Sequence, residues 1–314
     1  MFAIIALLTA FAVAPLQAQS PAAETPPVEH AIEAAQGETP AHAEEEGFDL
    51  IHHISDAREI ETPFGVVHLP PAGSWQVGPV DMTPTKHVVF LGLSALILLA
   101  IFIPAGQAAR RNGAEGTPRK GHNAVEALVL FFRDQVVMPN IGRGGERYVP
   151  FVSTLFFFIL IANLLGLLPW GASATGNISV TAALAVMSFV VIEISGMRAL
   201  GARGYFSTIV YIPHGLPRWM VPFMAVIMTP VEILGKLAKP FALAIRLFAN
   251  MTAGHVVLLA IIGLIFLFGS YAIAVGPVLM AVALIFLELF VAFLQAYIFA
   301  LLTSVFIGLI RHAH

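Results

Sequence analysis

The sequence predicts an all-α integral membrane protein of about five transmembrane helices. It adds an amphipathic interfacial helix and a long tilted helical hairpin at the C-terminal end. Three observations carry this. The 314 residues are 58% hydrophobic and only 11% charged, where a soluble domain is about 25% charged. The mean hydropathy is +0.85. Uncharged stretches that reach the roughly 20 residues of a membrane span recur along the chain, and the basic residues gather in alternate connections between them.

The elements follow in order. Met1 to Ala18 are uncharged and apolar and end in Leu16-Gln17-Ala18-Gln19. This is the pattern of a secretory signal over residues 1–18 with a small residue at the cleavage point. The positive n-region is missing, so a short first span is the competing reading. Residues 19–82 are rich in Pro, Ala, Glu and His and carry twelve of the 19 acids against one base, Arg58. Such a composition cannot bury a core and reads as a largely flexible segment. His30, His42, His52, His53 and His68 are irregularly spaced and read as solvated histidines rather than metal ligands.

The membrane domain occupies residues 83–314. Its first span lies at about 87 to 105. Tyr148 to Ile192 carry no formal charge and are long enough for two spans, with Pro169-Trp170-Gly171 and Gly176-Asn177 as the turn. Leu247 to Leu287 are again uncharged, with a break expected near Gly269 and Gly276-Pro277, and Leu289 to Ile310 form the last span. Residues 122–139 have one apolar and one charged face, which suits a helix lying in the cytoplasmic interface. Residues 219–246 are apolar but broken by Pro230, Glu232, Lys236, Lys239 and Pro240. They are expected to enter the bilayer at a strong tilt, in a helix continuing through Arg246.

The bases orient the spans. Arg110, Arg111, Arg119, Lys120, Arg143 and Arg147 follow span one, and Arg198, Arg203, Arg218, Lys236 and Lys239 follow span three. The tail holds Arg311, and the turns after spans two and four hold no Lys or Arg. Positive-inside logic puts these loops and the C-terminus in the cytoplasm and the N-terminus outside. A cleaved signal requires the same orientation.

Several chemistries are excluded. The chain has no cysteine, so there are no disulfides, thiolate nucleophiles or Cys-based metal sites. Arg143-Gly-Gly-Glu lacks the Lys-Ser/Thr of a phosphate loop, and no His-Glu-x-x-His occurs. Asn177-Ile-Ser and Asn250-Met-Thr match the glycosylation pattern by chance. No cofactor, metal, nucleotide or nucleic-acid site is expected, so any energy source is an ion gradient or a partner.

Arg246 stands out. It is the one base deep inside a long apolar run, and the next formally charged side chain is Glu288. A guanidinium inside a bilayer costs a few kcal/mol or more and does not readily lose its proton. It cannot carry protons, but it can pair with a carboxylate, repel a cation or block a leak. Asn250, four residues on, shares its helix face. His255, nine residues on, lies on roughly the opposite face about 13 Å along the axis. Glu288 and Gln295 share a face about 10 Å apart, with Thr303 and Ser304 beyond. Glu193 closes span three, and Glu232 lies in the tilted segment.

Each residue also has a plain structural reading. Arg246 could pair with Glu288, although ion pairing alone is a costly way to hold helices together. His255, Glu288, Asn250 and Gln295 could be interhelical hydrogen-bonding groups, and Glu193 and Glu232 could snorkel to the interface. The combination argues for function. Histidine titrates near neutral pH, and a carboxylic acid taken out of water holds its proton more tightly. Two such groups make a proton relay, and a permanent cation makes a barrier to leakage.

At this point the residues resemble a known family. Lys239-Pro-x-x-Leu-x-x-Arg246-Leu-Phe-Ala-Asn250-Met-x-Ala-Gly254, followed by Glu288 and by Leu294-Gln295-Ala-Tyr-Ile-Phe299, is similar to subunit a of F-type ATP synthases. The resemblance covers about residues 83–312, including Gly166-Leu-Leu-Pro169 and the Asn177 region. It implies a non-catalytic proton-path subunit of the F0 sector, placed beside a rotating ring of c subunits with one membrane carboxylate each. Further expected partners are the subunit b stator stalk, the other ATP synthase subunits and the lipid bilayer. The expected location is a bacterial inner membrane, with the N-terminus periplasmic. Two half-channels would end at different depths beside the ring. Arg246 would keep the passing carboxylate ionised and separate the half-channels. Asn250 and Gln295 match polar positions near it, His255 and Glu288 match the periplasmic uptake path, and Glu193 falls toward the cytoplasmic exit. Many bacterial members carry an acid at the His255 position and a histidine at the Glu288 position. Here the pair is exchanged, as in mitochondrial members, and relay chemistry is retained.

Two other classes stay open on sequence alone. A self-contained proton-coupled transporter would carry inverted repeats and a midplane pocket, and the sequence displays neither. A purely structural scaffold would make Arg246 dispensable.

Overall fold

In a bilayer no water is available to satisfy backbone polar groups, so long apolar stretches resolve into helices. The computed structural model of the chain describes residues 59–312, apart from 63–64, 72–73, 75, 78–79, 82, 113–119, 169–170, 210–219 and 269–270. The signal-like start and the first four of the scattered histidines lie outside the described residues.

The described part begins with two small antiparallel hairpins. Strand β1 (Glu59–Thr62) pairs with β2 (Gly65–His68), and β3 (Gln76–Val77) pairs with β4 (Val80–Asp81). The composition of residues 19–82 did not signal this local pairing, because each hairpin is too short to show an alternating pattern.

Helix α1 spans Lys86–Asn112. Helix α2 (Lys120–Phe131) runs through a π-helical turn, Phe132–Val137, into α3 (Met138–Ile141). A 3-10 turn, Gly145–Tyr148, opens α4 (Val149–Gly166), and a second, Ala174–Gly176, opens α5 (Ile178–Ile209). Helices α6 (Val221–Phe268) and α7 (Tyr271–Arg311) complete the chain. Among the described residues five helices are long and apolar enough to cross a membrane, in the places the charge pattern predicts.

One expectation is corrected. α6 ends at Phe268 and α7 begins at Tyr271, but no further break occurs at Gly276-Pro277, since α7 runs through that proline just as α6 runs through Pro230 and Pro240 to Arg246 and beyond. A proline inside a membrane helix is tolerated when neighbouring groups re-satisfy the freed carbonyl. At 1.5 Å per residue, the 48 residues of α6 make a rod of about 70 Å. That is more than twice the roughly 30 Å hydrocarbon core, so α6 must incline strongly or project beyond it, as the tilted hairpin requires.

Residues 122–139 are amphipathic as expected, with Arg133, Asp134 and Gln135 exposed beside an apolar face. Phe132, Val136, Val137 and Ile141 are fully buried, because α4 and α7 pack on the π turn and on α3. Phe132 stacks on Phe156 at 4.2 Å between ring centroids and meets Tyr297 at 6.3 Å. From Phe132 onward the apolar face is thus covered by protein, while Leu128, Leu130 and Phe131 remain exposed.

Helix α7 is the spine of the bundle and packs on α4, α5, α6 and α3. Its inward stripe of Ala292, Ala296, Phe299, Ala300, Thr303 and Ile307 is buried. Small side chains let neighbouring helices approach closely, which is how membrane helices gain packing energy. At Gly308 the approach is closest, where an added Cβ would lie 1.9 Å from the Asn140 carbonyl oxygen. The turn after α4 is pinned to this spine. Asn163 Nδ2 donates to the Ala292 carbonyl at 3.2 Å, and Thr175 Oγ1 donates to Asn163 Oδ1 at 2.6 Å.

Candidate functional site: a polar path in two parts

Helices α6 and α7 run antiparallel, and the sequence spacing now acquires partners. Asn250 Nδ2 on α6 donates to Gln295 Oε1 on α7 at 3.0 Å. One turn further along α6, Gly254 stands against Glu288. A Cβ at that glycine would lie 2.5 Å from Glu288 Oε1, so only glycine leaves the carboxyl its place. Glu288 Oε1 is buried and has no hydrogen-bond partner among the described residues. An unmet buried oxygen of this kind calls for a proton, a water or an incoming group.

Beside it is a space of about 10 Å³ lined by Asn250, Met251, His255, Glu288 and Val291, about the room of one water. His255 is also part of the wall of a second space of about 30 Å³, with Lys86, His87, Ser173, Met251 and Thr252. That space reaches the turn between α4 and α5. His87 Nδ1 donates to the Ser173 carbonyl there at 3.0 Å. His255 therefore lines both the space at the turn and the space beside Glu288.

A larger cavity of about 200 Å³ opens at the other end of the bundle, on the side of the basic connections. Glu193 and Thr208 from α5, Glu232, Lys236 and Lys239 from α6, and Phe306 from α7 line it. Glu193 is buried rather than snorkelling. It accepts a hydrogen bond from Tyr205 and faces Lys236 Nζ at 3.8 Å. Lys236 also donates to Thr208 Oγ1 at 3.1 Å.

Arg246 lies outside all three spaces. On α6 it falls about 15 Å beyond Lys236 and about 13 Å before His255. It is exposed on the lateral face of the helix, among Phe241, Ile245, Ala249 and Ala253, which are also exposed. Among the described residues it makes no hydrogen bond and no ion pair, so it is not the partner of Glu288.

The six sequence-selected residues thus fall in separate groups. Asn250 and Gln295 touch, His255 and Glu288 share a cavity, Glu193 lies at the opposite end, and Arg246 stands alone between them. Sequence reasoning missed Tyr205, Thr208 and His87, and it read Lys236 only as a topological base. Their signal is three-dimensional, since Lys236 and Glu193 are on different helices. Only Gly254 was visible in advance, inside the Asn250-Met-x-Ala-Gly254 motif.

Fold and site define a multi-pass membrane protein with polar spaces at two levels and, between them along α6, an exposed cation that has no partner among the described residues. Residues 88–308 match the family model described as ATP synthase A chain. The chain belongs to this family. It is 46% identical to ATP synthase subunit a of Chloroherpeton thalassium, covering 84% of this chain and 77% of that one. It is 45% identical to ATP synthase subunit a 2 of Chlorobaculum tepidum, covering 92% and 80%. It is 49% identical to ATP synthase subunit a of Myxococcus xanthus, covering 74% of each.

Proposed function

We propose that the chain is the proton-translocating stator subunit of the F0 sector of a rotary ATP synthase. The observation that carries this is Arg246, a permanent cation presented to the membrane with no partner among the described residues. A guanidinium held there needs a counter-charge, and the helix face around it is built to receive one. Ala238, Ala242, Ala249 and Ala253 are exposed along that face, and small residues let another helix come close. The incoming group is a membrane carboxylate of the ring of c subunits.

A proton enters from the side of the α4–α5 turn and passes through the space shared by His87 and His255 to Glu288. From there it reaches a ring carboxylate beside the Asn250–Gln295 pair. The neutral carboxyl travels round with the ring into lipid. On return it approaches the cavity of Glu193 and Glu232 and gives up its proton there. Arg246 then holds it ionised. Because Arg246 keeps its own proton, no proton crosses directly between the two inlets.

The chain carries no ATP chemistry itself and works with the ring, the subunit b stalk and the other subunits of the synthase. The inlet beside the α4–α5 turn faces the periplasm of a bacterial inner membrane, and the basic loops and C-terminus face the cytoplasm. A self-contained transporter is disfavoured, since its central cation would be paired within the chain.

The test is ATP-driven proton pumping in inverted vesicles carrying the complete complex, with assembly checked by subunit stoichiometry. Arg246→Ala is expected to assemble and abolish pumping. An assembled variant that pumps normally overturns the reading.

A further inference from the structure

We propose that Lys236 and Tyr205 are positioning residues for the exit path, holding the Glu193 carboxylate as a fixed anion in the larger cavity. The inference rests on reading that cavity as part of the proton path. Two carboxylates line the cavity, and they are held differently. Glu232 has no hydrogen bond or ion pair among the described residues. Glu193 is 8% exposed and anchored on one oxygen, Oε2, which accepts from the Tyr205 hydroxyl and faces Lys236 Nζ at 3.8 Å.

The ammonium is itself fixed from two further directions. It donates to Thr208 Oγ1 at 3.1 Å and lies 4.7 Å from the centre of the Tyr205 ring. A lysine on a flexible four-carbon stem thereby occupies one position. At 3.8 Å it stands beyond direct hydrogen-bond distance from the carboxylate. It supplies charge without occupying a lone pair, so Glu193 remains able to bond water in the cavity. No covalent step is involved. The proton leaving the ring carboxylate moves into water within a field set by a stationary pair.

A merely structural clamp between α5 and α6 would place the same atoms together. Pumping in inverted vesicles separates the two, measured per assembled complex for Lys236→Gln, Lys236→Arg, Glu193→Gln and the double variant Lys236→Gln with Glu193→Gln. Wild type and Arg246→Ala are run in parallel. Lys236→Gln is expected to lower pumping roughly tenfold, the scale of one opposite charge lost beside a carboxylate. Lys236→Arg should restore most of it, since arginine also stacks on the Tyr205 ring. On the Glu193→Gln background, Lys236→Gln should add nothing, because it acts through that carboxylate.

Tyr205→Phe keeps the ring and removes only the hydroxyl, so it serves if Lys236→Gln does not assemble. It should reduce pumping about threefold, and only while Glu193 is present. The proposal is overturned if Lys236→Gln or Tyr205→Phe pumps as wild type, if Lys236→Arg fails to rescue, or if the effects multiply independently of Glu193. When Arg246→Ala abolishes pumping and these variants are silent, this inference alone fails. An assembled Arg246→Ala complex that pumps normally removes the reading beneath it as well.

Discussion

A single atom decides where the Glu288 carboxyl sits. Glu288 reaches its position because Gly254 has no Cβ, and the gap that side chain would need is filled by Glu288 Oε1. Gly254→Ala should leave the bundle intact, since the obstructing atom is the end of a flexible side chain that can swing away. The carboxyl would be displaced by about an ångström from the space it shares with His255 and Asn250. Misplacement of that order can cost up to about a hundredfold in a positioned reaction. The expected outcome is normal assembly with pumping lowered tenfold or more, read in the same vesicle assay. Wild-type pumping in that variant would show that the place of Glu288 against α6 is not required. Arg246 and Lys236 show the opposite arrangement. One cation has no partner among the described residues and stands on an open face, and the other is held by three groups inside a cavity.

Between elements, the same glycine logic protects the frame rather than the path. Gly308 of α7 meets the Asn140 carbonyl of α3, with a virtual Cβ 1.9 Å from that oxygen. Here the obstruction is backbone and cannot swing aside. Gly308→Ala should separate α7 from α3 and loosen Phe132 from Phe156. The cost should be at least the 1–3 kcal/mol or so of an overpacked core. The measurement is thermal unfolding of the purified chain in detergent, where a lower midpoint is expected, and an unchanged midpoint would contradict the close approach. These contacts also show what the sequence could and could not display. The five spans were legible from charge-free stretches, and Arg246 and Asn250 on one face, or Glu288 and Gln295 on another, followed from helical spacing. Gly276-Pro277 misled, because a bilayer protein can repair the backbone gap that a proline opens in water. The burial of Phe132 was invisible, because amphipathicity gives the apolar face but not whether lipid or protein covers it. The Glu193–Lys236–Tyr205 cluster was hidden because its contacts join residues on two helices.

At the scale of the whole molecule, the arrangement works only if its two inlets open to opposite sides and never to each other. The separation along α6 supports this, with Lys236 and His255 about 28 Å apart along the axis and Arg246 between them. The chain contains no cysteine, so one introduced thiol at a time can be read without interference. Thr252 lines the space shared by His87 and His255, and Thr208 lines the cavity of Glu193. Thr252→Cys is nearly isosteric and should react with a small membrane-impermeant thiol reagent in right-side-out vesicles but not in inverted ones. Thr208→Cys should show the reverse preference. Ala249→Cys, on the exposed face beside Arg246, should react from neither side while the ring covers it and become reactive once the complex is dissociated. If Thr252→Cys and Thr208→Cys are labelled from the same side, the two spaces form one continuous pore. Arg246 would then be no barrier, and proton flow could not be made to turn a ring.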